Sequence, residues 1–298
     1  MGDTAQPKKP LTWLITGSSS GFGLALTRLT QSKGHNIIAT SRNPSRTPEL
    51  VNEVVSKGGR WLQLELEDLD SGAIIDALEA EGTHIDVLIN TAAMGMTGPL
   101  ESFTEAEARK QMDTNFFGPY RLVRAVVPYM RQRRSGMIVN FSSGAGLEAM
   151  NSLGVYGASK AALDDMSKVL HKELEPFNVR VLLVYLGTFN TAMPYSVQPI
   201  STPLPADYAG TQTERLFKML HTGDFAAPGD HVKACRAIYE VVMDGGFAKG
   251  LGNEIMLPLG RDLAGTVKRT QDRLEHMMEV FGDICHDVNL DDGTKASW

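Results

Sequence analysis

The sequence predicts an α/β protein built on a doubly wound parallel sheet with helices on both faces. Three observations predict it. Short β-rich apolar runs alternate with amphipathic stretches from residue 11 to 257. One run, Val181-Leu182-Leu183-Val184, is apolar throughout, as a strand covered on both faces can be. A Gly/Ser turn joins the first run to the first helical stretch, and a helix N-terminus after such a turn suits an anion.

The elements follow in order. Residues 11–15 form the first strand, and 22–33 take helical spacing after the turn. Strands are expected at 35–39, 61–66 and 85–89, with helices at 49–57 and 71–81 between them. A long helix is expected over 104–133, its basic end at Arg131, Arg133 and Arg134 complementing the macrodipole. Strands follow at 137–141 and 179–185, separated by a helix at 156–174 whose Leu163, Met166, Leu170 and Leu174 recur on one face. A helix at 230–243 and a strand at 254–257 complete the alternation. Residues 187–229 break it, with four of the 14 prolines inside 194–205. A connection this long is a functional lid or a disordered insertion. Beyond Gly260, residues 261–283 read as one more helix, with a polar tail ending at Trp298. No composition shift marks a second domain. Residues 1–298 are therefore read as a single domain, with a core at 11–260, a substrate lid at about 187–229, and a C-terminal helix and tail at 261–298.

Composition excludes several classes. The 298 residues carry a formal charge of −6, against the basic face that duplex binding needs, so no nucleic-acid partner is expected. No apolar run nears the ~20 residues of a membrane span, so no membrane partner is expected. The first ten residues are polar, without a signal-peptide core. The two cysteines, Cys235 and Cys285, form no CxxC pair. Both features suit a reducing, cytoplasmic setting. His276, Cys285 and His286 show no ligand spacing, and no metal is expected.

Two constellations carry chemistry. In Thr16-Gly17-Ser18-Ser19-Ser20-Gly21-Phe22-Gly23 the glycines let the backbone approach an anion, and a pyrophosphate is the natural guest. In Tyr156-Gly157-Ala158-Ser159-Lys160 a phenol and an ammonium share one helix face. A nearby ammonium is expected to lower the phenol from about 10 toward neutrality, making Tyr156 a usable acid–base. Ser143 lies thirteen residues upstream at a strand end, with Ser142 beside it, and Asn115 lies within the preceding helical stretch.

TGxxxGxG after a first strand, followed by Asn115, Ser143, Tyr156 and Lys160 in order, resembles the short-chain dehydrogenase/reductase family over residues 11–260. The resemblance implies a Rossmann-like fold and an Asn–Ser–Tyr–Lys tetrad. Tyr156 would then exchange the hydroxyl proton and Ser143 would hydrogen-bond the substrate oxygen. Lys160 would hold the nicotinamide ribose and tune Tyr156, and Asn115 would fix a water in a proton relay. The thirteen-residue interval to Tyr156 favours Ser143 over Ser142.

Cofactor contacts follow from the same likeness, at Gly17, Ser19, Gly21, Phe22 and Gly23 in the turn. Glu65 and Leu66 stand where the family meets the adenine. Asn90 and Ala92 belong to Asn90-Thr91-Ala92-Ala93, where Ala93 replaces a family glycine. Gly187, Phe189 and Thr191 resemble the family's carboxamide segment, with Leu186 in place of its proline. After the second strand, Ser41 and Arg42 bring no carboxylate to repel a 2′-phosphate, and Arg42 offers a fork suited to one. NADP(H) is the expected cofactor.

The expected function is an NADPH-dependent ketoreductase or alcohol dehydrogenase acting on a carbonyl or secondary alcohol. Ser143, Met150, Leu153 and Met193 are candidate substrate contacts, and with Met94, Met96, Leu147 and Phe189 they suggest a bulky lipophilic small molecule. A non-redox isomerase, lyase or cyclase, or a cofactor-sensing protein, is the alternative on the same fold. In the family the two long central helices often pair across a dimer. A homodimer or higher homo-oligomer is therefore expected, through 104–133 and 156–174.

Overall fold

The computed structural model describes residues 9–191, 197–222 and 227–288. Seven parallel strands form the main sheet in the order β3-β2-β1-β4-β6-β7-β9. They are β1 Thr12–Ile15, β2 Asn36–Ser41, β3 Arg60–Gln63, β4 Val87–Asn90, β6 Gly136–Ser143, β7 Val179–Leu186 and β9 Met256–Leu259. A second, two-stranded sheet pairs β5 Met96–Thr97 with β8 Gln198–Pro199.

Period-two alternation divides the strand side chains between two faces. Trp13, Ile15, Val87, Ile89, Val139 and Val184 share one apolar cluster with side chains from α1 Gly21–Ser32, α2 Pro48–Ser56 and α9 His231–Val242. Leu14, Leu88, Ile138 and Val181 share the other with α3 Ala73–Ala80, α5 Gly118–Arg133 and α7 Gly154–Leu174. Most of these residues are fully buried. Each fully buried Leu, Ile or Val contributes roughly 1.5–3 kcal/mol, so the doubly covered sheet is the rigid base of the site.

Four elements depart from the sequence reading. The long helix expected over 104–133 is broken into α4 Glu105–Met112, a π-helical turn Asp113–Phe117 and α5. Pro119, which has no N–H to donate, sits in the first turn of α5, where its missing donor is tolerated. The strand expected at 61–66 ends at Gln63, with one further bond from the Leu64 N–H to the Ser41 carbonyl of β2. The segment 187–229 is structured where it is described: it holds β8 and the helix α8 Gln212–Thr222. The C-terminal helix, α10, runs Arg261–Asp287, four residues beyond the expected end. The helix α6 Gly144–Leu147 is a single turn, with the Ser143 Oγ accepting from the Ala145 N–H at 3.2 Å.

With every strand of the main sheet parallel, all their C-terminal ends meet at one edge. The chain order reverses between β1 and β4, and that edge is where doubly wound folds leave a crevice.

Candidate active site

The crevice is a cavity of about 650 Å³. One end is made of backbone. Gly17 and Gly21 adopt φ of +69° and +51°, the left-handed region that glycine enters freely. A Cβ at Gly23 would overlap the Gly17 carbonyl, so no side chain fits there. Ser20 precedes α1 without a side-chain cap, leaving the first-turn amides of Gly21, Phe22 and Gly23 at the cavity wall. Thr16, which the motif reading did not single out, secures the turn: its Oγ1 accepts from the Thr91 and Ala92 N–H groups, each at 3.1 Å. The Thr91 hydroxyl returns a hydrogen bond to the Thr16 carbonyl. Ala93 is not among the residues with positive φ, so its methyl is carried without backbone strain.

The remaining expected cofactor residues fall into two groups. Ser19, Ser41, Arg42, Glu65, Leu66, Ala92, Gly187, Phe189 and Thr191 line the cavity. The Ser41 Oγ accepts from the Trp61 indole at 3.0 Å, whereas Arg42 is exposed and has no carboxylate partner among the described residues. Asn90 does not reach the cavity. Its Nδ2 donates to the Asn140 Oδ1 at 2.8 Å, and Asn140 donates on to Ser167, so this amide ties β4 to β6 and α7.

Ser143, Tyr156 and Lys160 line the opposite end. The Ser143 hydroxyl lies beside the Tyr156 phenol, while Ser142 faces Asp164, and this separates the two serines. The ammonium effect expected on Tyr156 is not what dominates. Burial pushes the phenol up to about 12, with Ser143 pulling it down and Asp164 adding to the rise. Lys160 is itself pushed down to about 8 by burial, against the attraction of Asp164. Its Nζ donates to the Phe141 carbonyl at 2.8 Å and lies 5.8 Å from the Tyr156 ring centroid.

Asn115 sits in the π-helical turn and is 1% exposed. Its Oδ1 accepts from Met94 N–H at 2.9 Å. Its Nδ2 donates to the Met94 carbonyl at 2.9 Å and to the Ser159 Oγ at 3.0 Å. The side chain thus pins the loop after β4 to α7 instead of lining the cavity.

The substrate side is roofed from a distance. Met150 and Leu153 line the cavity, as do Leu216, Met219 and Leu220 from α8. Met193 lies outside the described residues. The roof is held down by several contacts. The Ser152 hydroxyl donates to the Thr213 carbonyl at 2.9 Å, and Thr97 meets His221 at 3.2 Å. Ser201 N–H donates to Glu107 at 2.7 Å. Among the described residues there is no cluster of His, Cys, Asp or Glu suited to a metal, and no helix long and apolar enough to cross a membrane.

Residues 12–199 fit the family model for short chain dehydrogenases. The chain is 40% identical over 186 residues to a 3-ketodihydrosphingosine reductase of Bacteroides thetaiotaomicron, covering 61% of this chain and 65% of that protein. It is 32% identical over 292 residues to an uncharacterized oxidoreductase of Schizosaccharomyces pombe, covering 96% of this chain and 94% of that one. Among solved structures, a short-chain dehydrogenase from Streptomyces avermitilis superposes with a TM-score of 0.83 at 28% identity, over 95% of this chain and 99% of that one. A metagenomic short-chain oxidoreductase in complex with NADP gives 0.57 at 27% identity, over 74% and 93%.

Proposed function

The chain belongs to the short-chain dehydrogenase/reductase family of oxidoreductases, and from that premise we propose that it reduces a bulky lipophilic ketone with NADPH. One observation carries the reading: a single cavity has the glycine turn at one end and Ser143, Tyr156 and Lys160 at the other, under a roof of Met and Leu side chains.

The residues present fit a dinucleotide. The cradle at Gly23 has no room for a Cβ, and the open amides at the start of α1 suit a pyrophosphate. Gly17, Ser19, Gly21 and Phe22 would hold the phosphates, and Glu65 and Leu66 the adenine. Gly187, Phe189 and Thr191 would hold the carboxamide. Arg42, exposed at the cavity wall with no carboxylate partner among the described residues, would meet a 2′-phosphate. When bound, the nicotinamide supplies the hydride.

The chain's own side chains manage the oxygen and the proton. Tyr156, held near 12, keeps its proton at neutral pH and so stands ready as the acid for a developing alkoxide. Ser143 lies beside that phenol and hydrogen-bonds the same oxygen, fixing the carbonyl. Lys160, its Nζ 5.8 Å from the phenol ring centroid, would supply the positive charge that offsets the negative charge left on Tyr156 when the proton is given up. Asn115 holds the Met94 loop against α7, which keeps the cavity wall in place. Met150, Leu153, Leu216, Met219 and Leu220 exclude water and favour an apolar substrate. Residues 1–298 would act as one domain. Exposed Phe117, Tyr120 and Val169 on the two central helical segments support a homodimer there.

The test is a panel of lipophilic ketones with NADPH, following loss of the reduced nicotinamide absorbance. Turnover of bulky apolar ketones, with small polar carbonyls slower, is the expected result. Tight NADPH binding without turnover across the panel overturns the reading in favour of a non-redox or sensing role.

A further inference from the structure

Behind the reacting pair lies a polar cluster that the proposed chemistry leaves unused. Asp164 stands one helical turn beyond Lys160 on α7 and is 2% exposed, in the same buried stripe as Tyr156 and Ser159. Neither carboxylate oxygen has a hydrogen-bond partner among the described residues, and the same holds for the Ser142 and Tyr185 hydroxyls. Ser142 on β6 and Tyr185 on β7 are direct register partners. Both hydroxyls face the Asp164 carboxylate closely enough to influence its protonation, without closing a hydrogen bond of good geometry. Gly146 of α6 borders the remaining side: a Cβ there would lie 2.6 Å from the Asp164 Oδ2.

A buried carboxylate without a well-formed hydrogen bond is costly, and a buried ammonium with a single carbonyl partner is costly too. Placed four residues apart on one helix face, each offsets the other's desolvation. We propose that Asp164 is a positioning residue for the reaction. Its buried carboxylate, backed by Ser142 and Tyr185, is the counter-charge that keeps Lys160 protonated inside the site. The assignment rests on the reading of Tyr156 and Lys160 as the reacting pair, and deepens it.

The charges around Asp164 can be named element by element. On α7 they are Lys160, Lys168 and, through space, Tyr156; from β7 comes Tyr185, and from β6 the neutral Ser142. From α6, Gly144–Leu147, no titratable side chain is contributed, and Gly146 borders the carboxylate. Burial pushes Asp164 up to about 6 and Lys160 down to about 8. Between those values the carboxylate is ionised while the ammonium keeps its proton. Lys160 is charged below its own pKa, and Asp164 raises that pKa. Removing the carboxylate therefore brings the loss of the Lys160 proton to lower pH. Below about 6 Asp164 is protonated, but acidity alone then keeps Lys160 charged.

The experiment follows lysine labelled with carbon-13 at the ε position by NMR through a pH titration, with the Lys160 signal identified by its loss in Lys160→Arg. In Asp164→Asn the Lys160 midpoint is expected to fall by about one pH unit or more, and in Asp164→Glu to stay near the wild-type value. Ser142→Ala combined with Tyr185→Phe leaves the carboxylate in place and is expected to lower the midpoint by a few tenths of a unit. The alkaline limb of kcat should move in the same direction as the midpoint. An unmoved midpoint in folded Asp164→Asn overturns the assignment; should that variant not fold, an unmoved midpoint in the double variant does so. If the midpoint moves but no ketone is turned over, Asp164 keeps its role and only the proposed reaction fails.

Discussion

The two ends of the cavity are made of different material. At the phosphate end the wall is main chain: positive-φ glycines, the amides opening α1, and the Thr16 hydroxyl knitting β1 to the turn after β4. At the substrate end the wall is side chain, supplied by α8 and by the loop before α7. The contrast teaches what each end can tolerate. A backbone cradle fails as a unit when one atom is added, because main chain has nowhere to go. A roof of Met and Leu changes its fit by degrees, because these side chains repack.

The sharpest way to break that contrast is at Gly23. Gly23→Ala adds one carbon, and it overlaps the Gly17 carbonyl. We expect NADPH affinity to fall by roughly 100-fold or more, since a main-chain shift of a few tenths of an ångström would misalign several amides at once. Fluorescence titration of NADPH, with a thermal melt to confirm folding, measures it. Retained affinity would mean that the turn is more pliant than its packing indicates.

Arg42→Ala sharpens the contrast within the cofactor end, where one contact is side chain rather than backbone. A charge-assisted pair with phosphate is worth about 1.5–3 kcal/mol, so NADPH affinity should drop roughly 10- to 100-fold while NADH affinity changes little. Parallel titrations with both cofactors decide. Equal losses would place Arg42 in a general structural role.

The same contrast governs how much of the molecule was legible from its sequence. The seven main strands and the phosphate turn are local patterns, read from apolar runs and glycine spacing. Ser143, Tyr156 and Lys160 carry a fixed interval, and they do meet at the cavity. Asn90 and Asn115 were legible as positions but not as environments. Their amides are taken up by Asn140, Met94 and Ser159, and no interval in the chain announces a partner 50 or 44 residues away. The π-helical turn had one local signal, Gly118-Pro119 inside a supposed continuous helix. Helix α8 had another, Leu216, Met219 and Leu220 at helical spacing, masked by the surrounding prolines. The acid–base state of Tyr156 had none. A neighbouring ammonium is visible in the sequence, whereas the burial that pushes the phenol up is a property of the packed fold.

The smallest effect belongs to the roof. Met219 lines the cavity from α8 and is half-buried, so truncating it removes apolar contact from a bound substrate without emptying the core. Loss of part of one flexible apolar side chain is worth about 1 kcal/mol in a binding pocket, or roughly a 5-fold rise in KM for a bulky ketone. The kcat should hold, because Ser143, Tyr156 and Lys160 stand on β6 and α7, not on α8. NADPH affinity should also hold, since the phosphate turn lies at the other end of the cavity. Steady-state kinetics of Met219→Ala, with ketones of increasing size, checks all three quantities. A fall in kcat as large as the rise in KM would show that the roof also fixes the reacting groups, and the two ends would then have to be treated as one device.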